Sequence, residues 1–422
     1  CTPNDPMLLG GLQDNGNFFV NSTDPTAPWK QTVNGDGSFG AVAPGKAYYV
    51  LSIQKGRVAK VVLDDDGNVL AFRRIDPIGP KKDDYSFINP LALDPSDANV
   101  LYLPAGNRLY RQTELASINL TGEWDSIAQG WMQYPDTIKA SFGFISAVAV
   151  STANPTHRVY IGTSANKLYR IDDAHTGSPA FISLGTPPVG SSGYVTCIAV
   201  DPDNADRVVV AYSNYNIYSL FLSTNAGQTW LKVGGNLEAN LAGNTGGVSV
   251  RWISILPFAN GSHQYFCGTS LGLFSADTLK IHTMTAPGTQ WALEGASTLG
   301  SAVVDYIETR TSDGLVVAAT HGSGMFTANF APVSGTNGAL QKDYVHVYPN
   351  PASDFVQIDL GDKYNGTPAA FRLFDQRGQE VRRLNIVSGN RRIDLQGLPS
   401  GVYLYDLQGV GWRKSGKVMK SN

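Results

Sequence analysis

Few residues of this 422-residue chain have both the types and the spacing that chemistry requires. The run DDDGN at residues 64–68 begins like a calcium-binding loop, but an EF-hand also needs a glutamate at its twelfth loop position, and none stands there. The three cysteines and six histidines show no zinc-ligand spacing. The sequence therefore predicts no metal, no cofactor and no catalytic residue, and it predicts that the aspartate run is a solvated hairpin turn.

The candidate ligand contacts lie instead in glycine-rich turns. Gln13, Asp14 and Asn15 stand before Gly16 between two apolar runs, and His321 lies in the similar turn THGSG. We expect these turns to share one rim of the protein. For DNG at residues 14–16, the alternatives are a tight turn that requires positive φ and a contact to a ligand.

A second group of candidates comes from the aromatic-rich segment at residues 124–144, which includes Trp131 and Tyr134. An inserted aromatic loop can supply stacking platforms for a sugar or an anchor for a protein partner. The alternative is a loop packed on its own sheet. Trp131 and Tyr134 therefore join the candidate ligand rim as a hypothesis.

The element that must position these residues is a repeated hairpin. VYIGTSANKLYR at residues 159–170 has an alternating strand, a short polar turn and a second strand, and similar hairpins occur at residues 7–20, 48–62, 100–111, 208–220, 265–276 and 316–328. A strand-forming unit that repeats about every 50 residues predicts a radial array of sheets. We expect a seven-bladed β-propeller over residues 1–330, in which each blade packs face to face on its neighbours.

The beginning of the chain does not fit a whole blade. PNDP at residues 3–6 matches the turn that follows the innermost strand in other repeats, such as LDPSDAN at 93–99. We therefore expect the first blade to lack its innermost strand and the chain to be the C-terminal portion of a longer protein.

Composition agrees with a large all-β protein and narrows its partners. The chain has 45 Gly and 23 Pro, and 42% of its residues are hydrophobic. A net charge of −3 shows no basic excess, which disfavours a nucleic-acid or anionic-membrane partner. No apolar run is long enough to span a bilayer. Cys197 and Cys267 lie in predicted strands, and we expect both to be buried as small apolar side chains.

One turn carries a more specific pattern. Ser223, Asn225, Gly227, Thr229 and Trp230 fit the Asp-box pattern S-x-D-x-G-x-T-W, and eroded copies end at Trp29 and Trp124. With GGLQDNG at 10–16 and THGSG at 320–324, the first 330 residues resemble the sortilin-type and xyloglucanase-type Asp-box (BNR) propellers. The resemblance implies a fold rather than a chemistry, because such propellers include receptors and glycosidases alike. No residue here matches the catalytic motif of the xyloglucanases.

The tail has a different composition. A small-residue linker at 331–342 precedes seven short strand-like runs in residues 343–422, which predict an Ig-like β-sandwich. An ordered set of residues resembles a type A C-terminal sorting domain of the type IX secretion system: Pro349, Asn350, Pro351, Gly378, Gly401, Tyr403, Gly416 and Lys417. The resemblance implies export to the cell surface or medium, with the translocon and its outer-membrane shuttle or sortase as partners.

Two functions remain open for the exported part. The first is a non-catalytic binding or scaffold module for a glycan or surface protein. The second is the C-terminal part of a polysaccharide-active glycoside hydrolase. Two carboxylates roughly 5 to 10 Å apart in one cleft would favour the hydrolase, and an aromatic, carboxylate-poor face would favour binding.

Overall fold

In the computed structural model the chain divides into two compact units, residues 1–332 and 333–422. The structure describes residues 4–189, 192–243, 246–331, 346–360, 368–375, 378–386, 392–409 and 412–421, with only the backbone at 346, 359 and 412–414. The expectations for Cys1, for Pro3 of PNDP and for nearly all of the linker lie outside the described residues.

The first unit consists of short antiparallel strands, as the repeated hairpin predicts. In chain order the strands are β1 (Met7–Leu12), β2 (Gly16–Asn21), β3 (Lys30–Val33), β4 (Gly37–Val42), β5 (Tyr49–Ile53), β6 (Arg57–Leu63), β7 (Val69–Arg74), β8 (Ala92–Leu93), β9 (Leu101–Ala105), β10 (Arg108–Gln112), β11 (Trp131–Gln133), β12 (Ile145–Val150), β13 (Val159–Thr163), β14 (Leu168–Ile171), β15 (Ile182–Ser183), β16 (Val195–Asp201), β17 (Asn204–Tyr212), β18 (Leu220–Ser223), β19 (Leu231–Lys232), β20 (Val250–Pro257), β21 (His263–Thr269), β22 (Gly272–Ala276), β23 (Ala292–Glu294), β24 (Val304–Arg310), β25 (Leu315–Thr320) and β26 (Met325–Asn329). The helical turns of the described residues are 3₁₀ turns at Pro44–Lys46, Lys82–Asp84, Leu115–Ser117, Ala140–Phe142 and Gly235–Leu237.

These strands form successive sheets whose members follow chain order. Within the described residues the first sheet is β1–β3 and the seventh is β24–β26, with three strands each. The second to sixth sheets have four strands each: β4–β7, β8–β11, β12–β15, β16–β19 and β20–β23. This is the meander arrangement of a β-propeller, so the all-β prediction is confirmed.

Each pair of sheets that are consecutive in the chain, from the first and second to the sixth and seventh, shares an apolar core among the described residues. In β17, Val208 and Val210 pack toward the fourth sheet, whereas Val209 and Ala211 pack toward the sixth. Because successive side chains of a strand point to opposite faces, such a strand must be apolar on both. The free cysteines Cys197 and Cys267 are buried in the core between the fifth and sixth sheets, as the sequence predicts.

The junction between the seventh and first sheets is polar. Arg310 holds Asp313 through Nε–Oδ1 and Nη2–Oδ2 contacts of 2.9 and 2.7 Å, and its Nη1 donates to the backbone oxygen of Asp5 at 2.9 Å. The backbone N–H of Asn4 donates to Asp313 Oδ2 at 2.7 Å. The bond from Arg310 to Asp5 and the bond from Asn4 to Asp313 join residues more than 300 positions apart, and they tie the seventh sheet to the first.

The Asp-box-like turn between β18 and β19 is built by its own side chains. Ser223 Oγ accepts the N–H of Gly227 at 2.9 Å, and Asn225 Oδ1 accepts the N–H of Thr229 at 3.0 Å. Trp230 is half-buried against the core between the fourth and fifth sheets and donates its indole N–H to the oxygen of Gly185 at 2.7 Å. The turn is thus a folding device that ties one sheet to its neighbour.

The described residues of the second unit include the seven strands that its sequence predicts. They are β27 (His346–Tyr348), β28 (Phe355–Asp359), β29 (Ala369–Phe374), β30 (Glu380–Ile386), β31 (Arg392–Asp394), β32 (Gly401–Gly409) and β33 (Trp412–Lys420). They form two antiparallel sheets, β27–β28–β31 and β30–β29–β32–β33, which share one apolar core.

Most residues of the sorting pattern have structural positions in this unit. Asn350 brackets β33, because its Nδ2 donates to the oxygen of Lys417 and its Oδ1 accepts the N–H of Met419, both at 2.8 Å. Tyr403 is buried and donates its hydroxyl to the oxygen of Pro399 at 2.7 Å. At Gly416 a Cβ would lie 2.6 Å from the hydroxyl of Tyr405, so that ring needs the glycine.

The remaining residues of the pattern lie at turns, edges and surfaces. Gly378 lies in the turn between β29 and β30, and Gly401 begins β32. Pro349 and Lys417 are exposed, whereas Pro351 is exposed beside the buried Ala352. The pattern therefore combines core-forming positions with a solvent-facing part of β33.

The polar junction yields the first prediction. Arg310→Ala leaves Asp313 without its cation and opens the seventh junction, so the free energy of unfolding should fall by roughly 2 to 4 kcal/mol. The matched change Arg251→Ala breaks an exposed pair with Asp305, 3.2 Å long, and should cost less than about 1 kcal/mol. Urea unfolding of both variants measures the difference, and equal losses would contradict the proposed importance of the junction.

Candidate functional site

The first group of rim residues forms an exposed turn. Gln13, Asp14 and Asn15 join β1 to β2; Asp14 has φ of 65° and Gly16 has φ of 91°. A Cβ at Gly16 would lie 2.3 Å from the oxygen of Val33, so this position requires glycine. The positive-φ turn that the sequence offers as one alternative is present, and the exposed side chains leave the ligand-contact alternative open.

His321 lies in the β25–β26 turn of the adjacent seventh sheet and is also exposed. Its Nδ1 is 3.3 Å from Oδ2 of Asp305, whose Oδ1 is 3.2 Å from Nη1 of Arg251. A Cβ at Gly10 would overlap the terminal methyl of Met325, so the hairpins of the first and seventh sheets lie directly against each other. The two groups of rim residues therefore lie on neighbouring hairpins.

The structure corrects the expectation for the aromatic segment. Tyr134 is completely buried, and its hydroxyl donates to the oxygen of Ala174. Trp131 is half-buried against the core between the second and third sheets and donates its indole N–H to the oxygen of Ile75 at 2.5 Å. Tyr134 therefore cannot contact a ligand on the rim, and Trp131 packs against the core. For both residues the alternative, a loop packed on its own sheet, is correct.

A groove of about 550 Å³ lies between the first and second sheets. We call it the rim groove, and the residues that line it are Thr32, Val33, Asn34, Gly35, Ile53, Gln54, Arg57, Ala59, Val61, Val69, Phe72 and Trp124. Its volume lies in the range of small-ligand sites. Residues of β3 in the first sheet line one side of the groove, and residues of β6 and β7 in the second sheet line the other.

The rim groove is connected to the rim turn by a chain of hydrogen bonds. Asp36 Oδ1 accepts the N–H of Asp14 at 2.8 Å, and the N–H of Asp36 donates to Oε1 of Gln54 at 2.9 Å. On the other side, Gln31 Nε2 donates to the oxygen of Asn15 at 2.5 Å. The exposed turn and the groove thus form one continuous polar surface.

Sequence reasoning missed most of the rim groove. Asn34, Arg57 and Phe72 belong to three different strands or turns, and only the fold brings them together. The sequence shows Trp124 only as the aromatic end of an eroded Asp box, and it does not indicate which residues surround it. The one sequence signal was that tryptophan at the start of an insertion.

Two clusters of titratable residues lie away from the groove. Asp201, Asp203 and His263 approach one another, with His263 Nε2 at 3.2 Å from Asp201 Oδ1, but Nε of Arg207 is also 3.6 Å from Asp201. The guanidinium of Arg207 therefore already forms an ion pair with Asp201. The second cluster surrounds Glu238, whose Oε1 accepts the N–H of Ser219 at 2.7 Å.

The comparisons with known proteins separate the two units. A family model described as "Secretion system C-terminal sorting domain" matches residues 346–421. The tail is a sorting domain. It indicates export across the outer membrane to the cell surface or extracellular space, and it implies contact with the type IX secretion machinery. No helix of the described residues has the length and apolar content to cross a bilayer.

Two other comparisons concern a sequence relative and a solved structure. The chain is 30% identical over 89 residues to "Beta-agarase A" from Zobellia galactanivorans, and the match covers 20% of this chain and 16% of the agarase. A solved structure, the β-propeller domain of Cps50 (Swd1) from Myceliophteria thermophila, has a TM-score of 0.48 at 13% identity over 78% of this chain and 95% of that domain. We draw no functional argument from either.

The Glu238 cluster yields a prediction about pH. Burial raises the pKa of Glu238 to about 7, whereas the unfolded chain releases this proton near pH 4.5. The folded state therefore holds a proton that the unfolded state has lost, and stability should fall as the pH rises from about 4.5 to 7. Glu238→Gln should remove this loss and raise the free energy of unfolding at pH 8 by roughly 1 to 2 kcal/mol.

Urea unfolding at pH 5 and pH 8 measures the effect. Glu114→Gln, at an exposed position, is the control and should change neither value by more than about 0.5 kcal/mol. A Glu238→Gln protein whose gain is the same at both pH values would show that the ionisation of Glu238 is not the cause.

Proposed function

We propose that the first unit is a seven-bladed propeller of the Asp-box, sortilin-like kind that acts as a non-catalytic binding module outside the cell. The rim groove supports this proposal most directly. Its lining combines Trp124 and Phe72 with the polar side chains of Asn34, Gln54 and Arg57, and it includes no aspartate or glutamate. An aromatic, carboxylate-poor groove of this size suits recognition of a glycan.

The alternative, the C-terminal part of a glycoside hydrolase, needs two carboxylates that face one cleft. Asp36 is the carboxylate bonded next to the rim groove, and its Oδ1 is already committed to the N–H of Asp14. Incubation of the protein with polysaccharides, followed by chromatography of the products, tests this alternative. The proposal expects no new reducing ends, and their appearance would favour the hydrolase.

For the second unit we propose an Ig-like sandwich that is the export address and folds without the propeller, with the linker at 331–342 and the address at 343–422. Side chains from both of its sheets form one apolar core, which supports independent folding of this unit. Lys417 is exposed on β33 beside the backbone bracketed by Asn350, so the shuttle or sortase can reach it. Recognition and folding thus use different residues of one pattern.

Export assays test this division. A fusion of residues 331–422 to an unrelated exported protein should reach the cell surface or medium, and deletion of these residues should leave a folded propeller in the periplasm. Tyr403→Ala should unfold the tail, because it empties a buried position and removes the bond to Pro399. Lys417→Ala should impair export of a folded protein.

Fractionation of cells together with circular dichroism of the purified tails distinguishes these outcomes. Lys420→Ala, near the end of the same strand, is the control for Lys417→Ala. If the truncated protein reached the surface at normal levels, the tail would not be the address.

A further inference from the structure

We infer that the rim groove binds an anionic polysaccharide, with the indole of Trp124 against a sugar ring and the guanidinium of Arg57 paired with a sulfate or carboxylate of the chain. This inference rests on the proposed binding function and assigns it a site and a ligand chemistry.

The indole of Trp124 is held in place before any ligand arrives. The segment that carries it pairs with β7: the N–H of Gly122 donates to the oxygen of Phe72 at 2.9 Å, and the N–H of Arg74 donates to the oxygen of Glu123 at 3.1 Å. Phe72 supports the indole edge to face, with ring centroids 6.1 Å apart. Trp124 keeps 37% of its surface exposed, so a fixed aromatic platform faces solvent. Preorganisation of this kind lowers the entropic cost of binding.

Arg57 supplies the charge. It begins β6 and lines the groove, and its guanidinium has no hydrogen-bond or ion-pair partner among the described residues. The neighbouring Lys55 pairs with Asp83, with Nζ 3.6 Å from Oδ1, and Lys30 donates a hydrogen bond to Asn68. Of these three cations of the described residues, Arg57 is therefore the one available to a ligand. A planar guanidinium matches the oxygen pairs of sulfate and carboxylate. The groove lining holds no acidic side chain that would repel such a ligand.

The remaining polar groups suit sugar hydroxyls. Gln54 uses its Oε1 to accept the N–H of Asp36, which leaves its Nε2 donors for a ligand. The side-chain amide of Asn34 has no partner among the described residues and can both donate and accept. Together these groups specify a polyhydroxylated ring with an anionic substituent, rather than an apolar peptide.

Two galactan probes and one uronate probe test the inference on the full chain: sulfated carrageenan oligosaccharides, neutral agarose oligosaccharides and oligogalacturonate. Calorimetry should show binding of the sulfated probe about tenfold or more tighter than binding of the neutral probe at low salt, and the preference should shrink at high ionic strength. The oligogalacturonate arm shows whether a carboxylate serves as well as a sulfate.

Variants locate the site. Trp124→Ala should weaken binding of every probe at least tenfold, with partial recovery in Trp124→Phe. Arg57→Gln should weaken binding of the anionic probes about tenfold, so that their preference over the neutral probe falls to about one. Tyr215→Ala removes an exposed aromatic ring in the β17–β18 turn, and Arg108→Gln removes an exposed arginine that begins β10 as Arg57 begins β6; both should bind as the wild type does. Thermal melts confirm that each variant is folded.

The outcomes separate the site from the function. If the wild type binds an anionic probe but Arg57→Gln behaves like Arg108→Gln, the binding function stands and the site is elsewhere. If the wild type binds only the neutral probe, or none of the three, the ligand chemistry is wrong. If the wild type cleaves a probe while Trp124→Ala loses its binding, the site stands and the non-catalytic function is wrong.

Discussion

The rest of the first unit depends on the polar lock between its two ends. Six junctions between neighbouring sheets are apolar cores, whereas the seventh is closed by Arg310, Asp313 and the backbone of Asn4 and Asp5. An open ring would expose to water the contact between Gly10 of the first sheet and the terminal methyl of Met325 of the seventh. The Arg310 guanidinium lowers the pKa of Asp313, which keeps this carboxylate ionised and the lock intact at every pH above the acid range.

The lock also determines the surface on which function is proposed. It fixes the first sheet against its neighbours, and that sheet carries the exposed turn at Gln13–Asn15 and one wall of the rim groove. A 2.9 Å contact between Lys46 Nζ and Asp5 reinforces the lock. Because Lys46 lies between β4 and β5, this contact also ties the first described residues to the second sheet. β3 of the same sheet faces β6 and β7 of the second sheet across the groove. The position of the first sheet therefore affects both the closure of the ring and the shape of the groove.

Sequence reasoning succeeded where the information is local. The hairpins follow from period-two alternation and from turns such as DNG, and all seven strands of the tail follow from short β-branched and aromatic runs. It failed where the answer depends on neighbours distant in the chain. An aromatic-rich stretch does not tell which ring is buried: Tyr134, predicted to lie on the rim, is buried, whereas Trp124 and Phe144 are exposed. The raised pKa of Glu238 depends on burial that no spacing reveals.

Amide hydrogen exchange of the first sheet tests the closed ring most directly. Exchange protection reports the free energy of local opening. If the lock holds, the amides of β2 should exchange about as slowly as those of β17, which lies between two apolar junctions. Exchange of β2 at the rate of an exposed turn, with β17 still protected, would show that the ring is open at its first sheet and that the rim groove is not preformed.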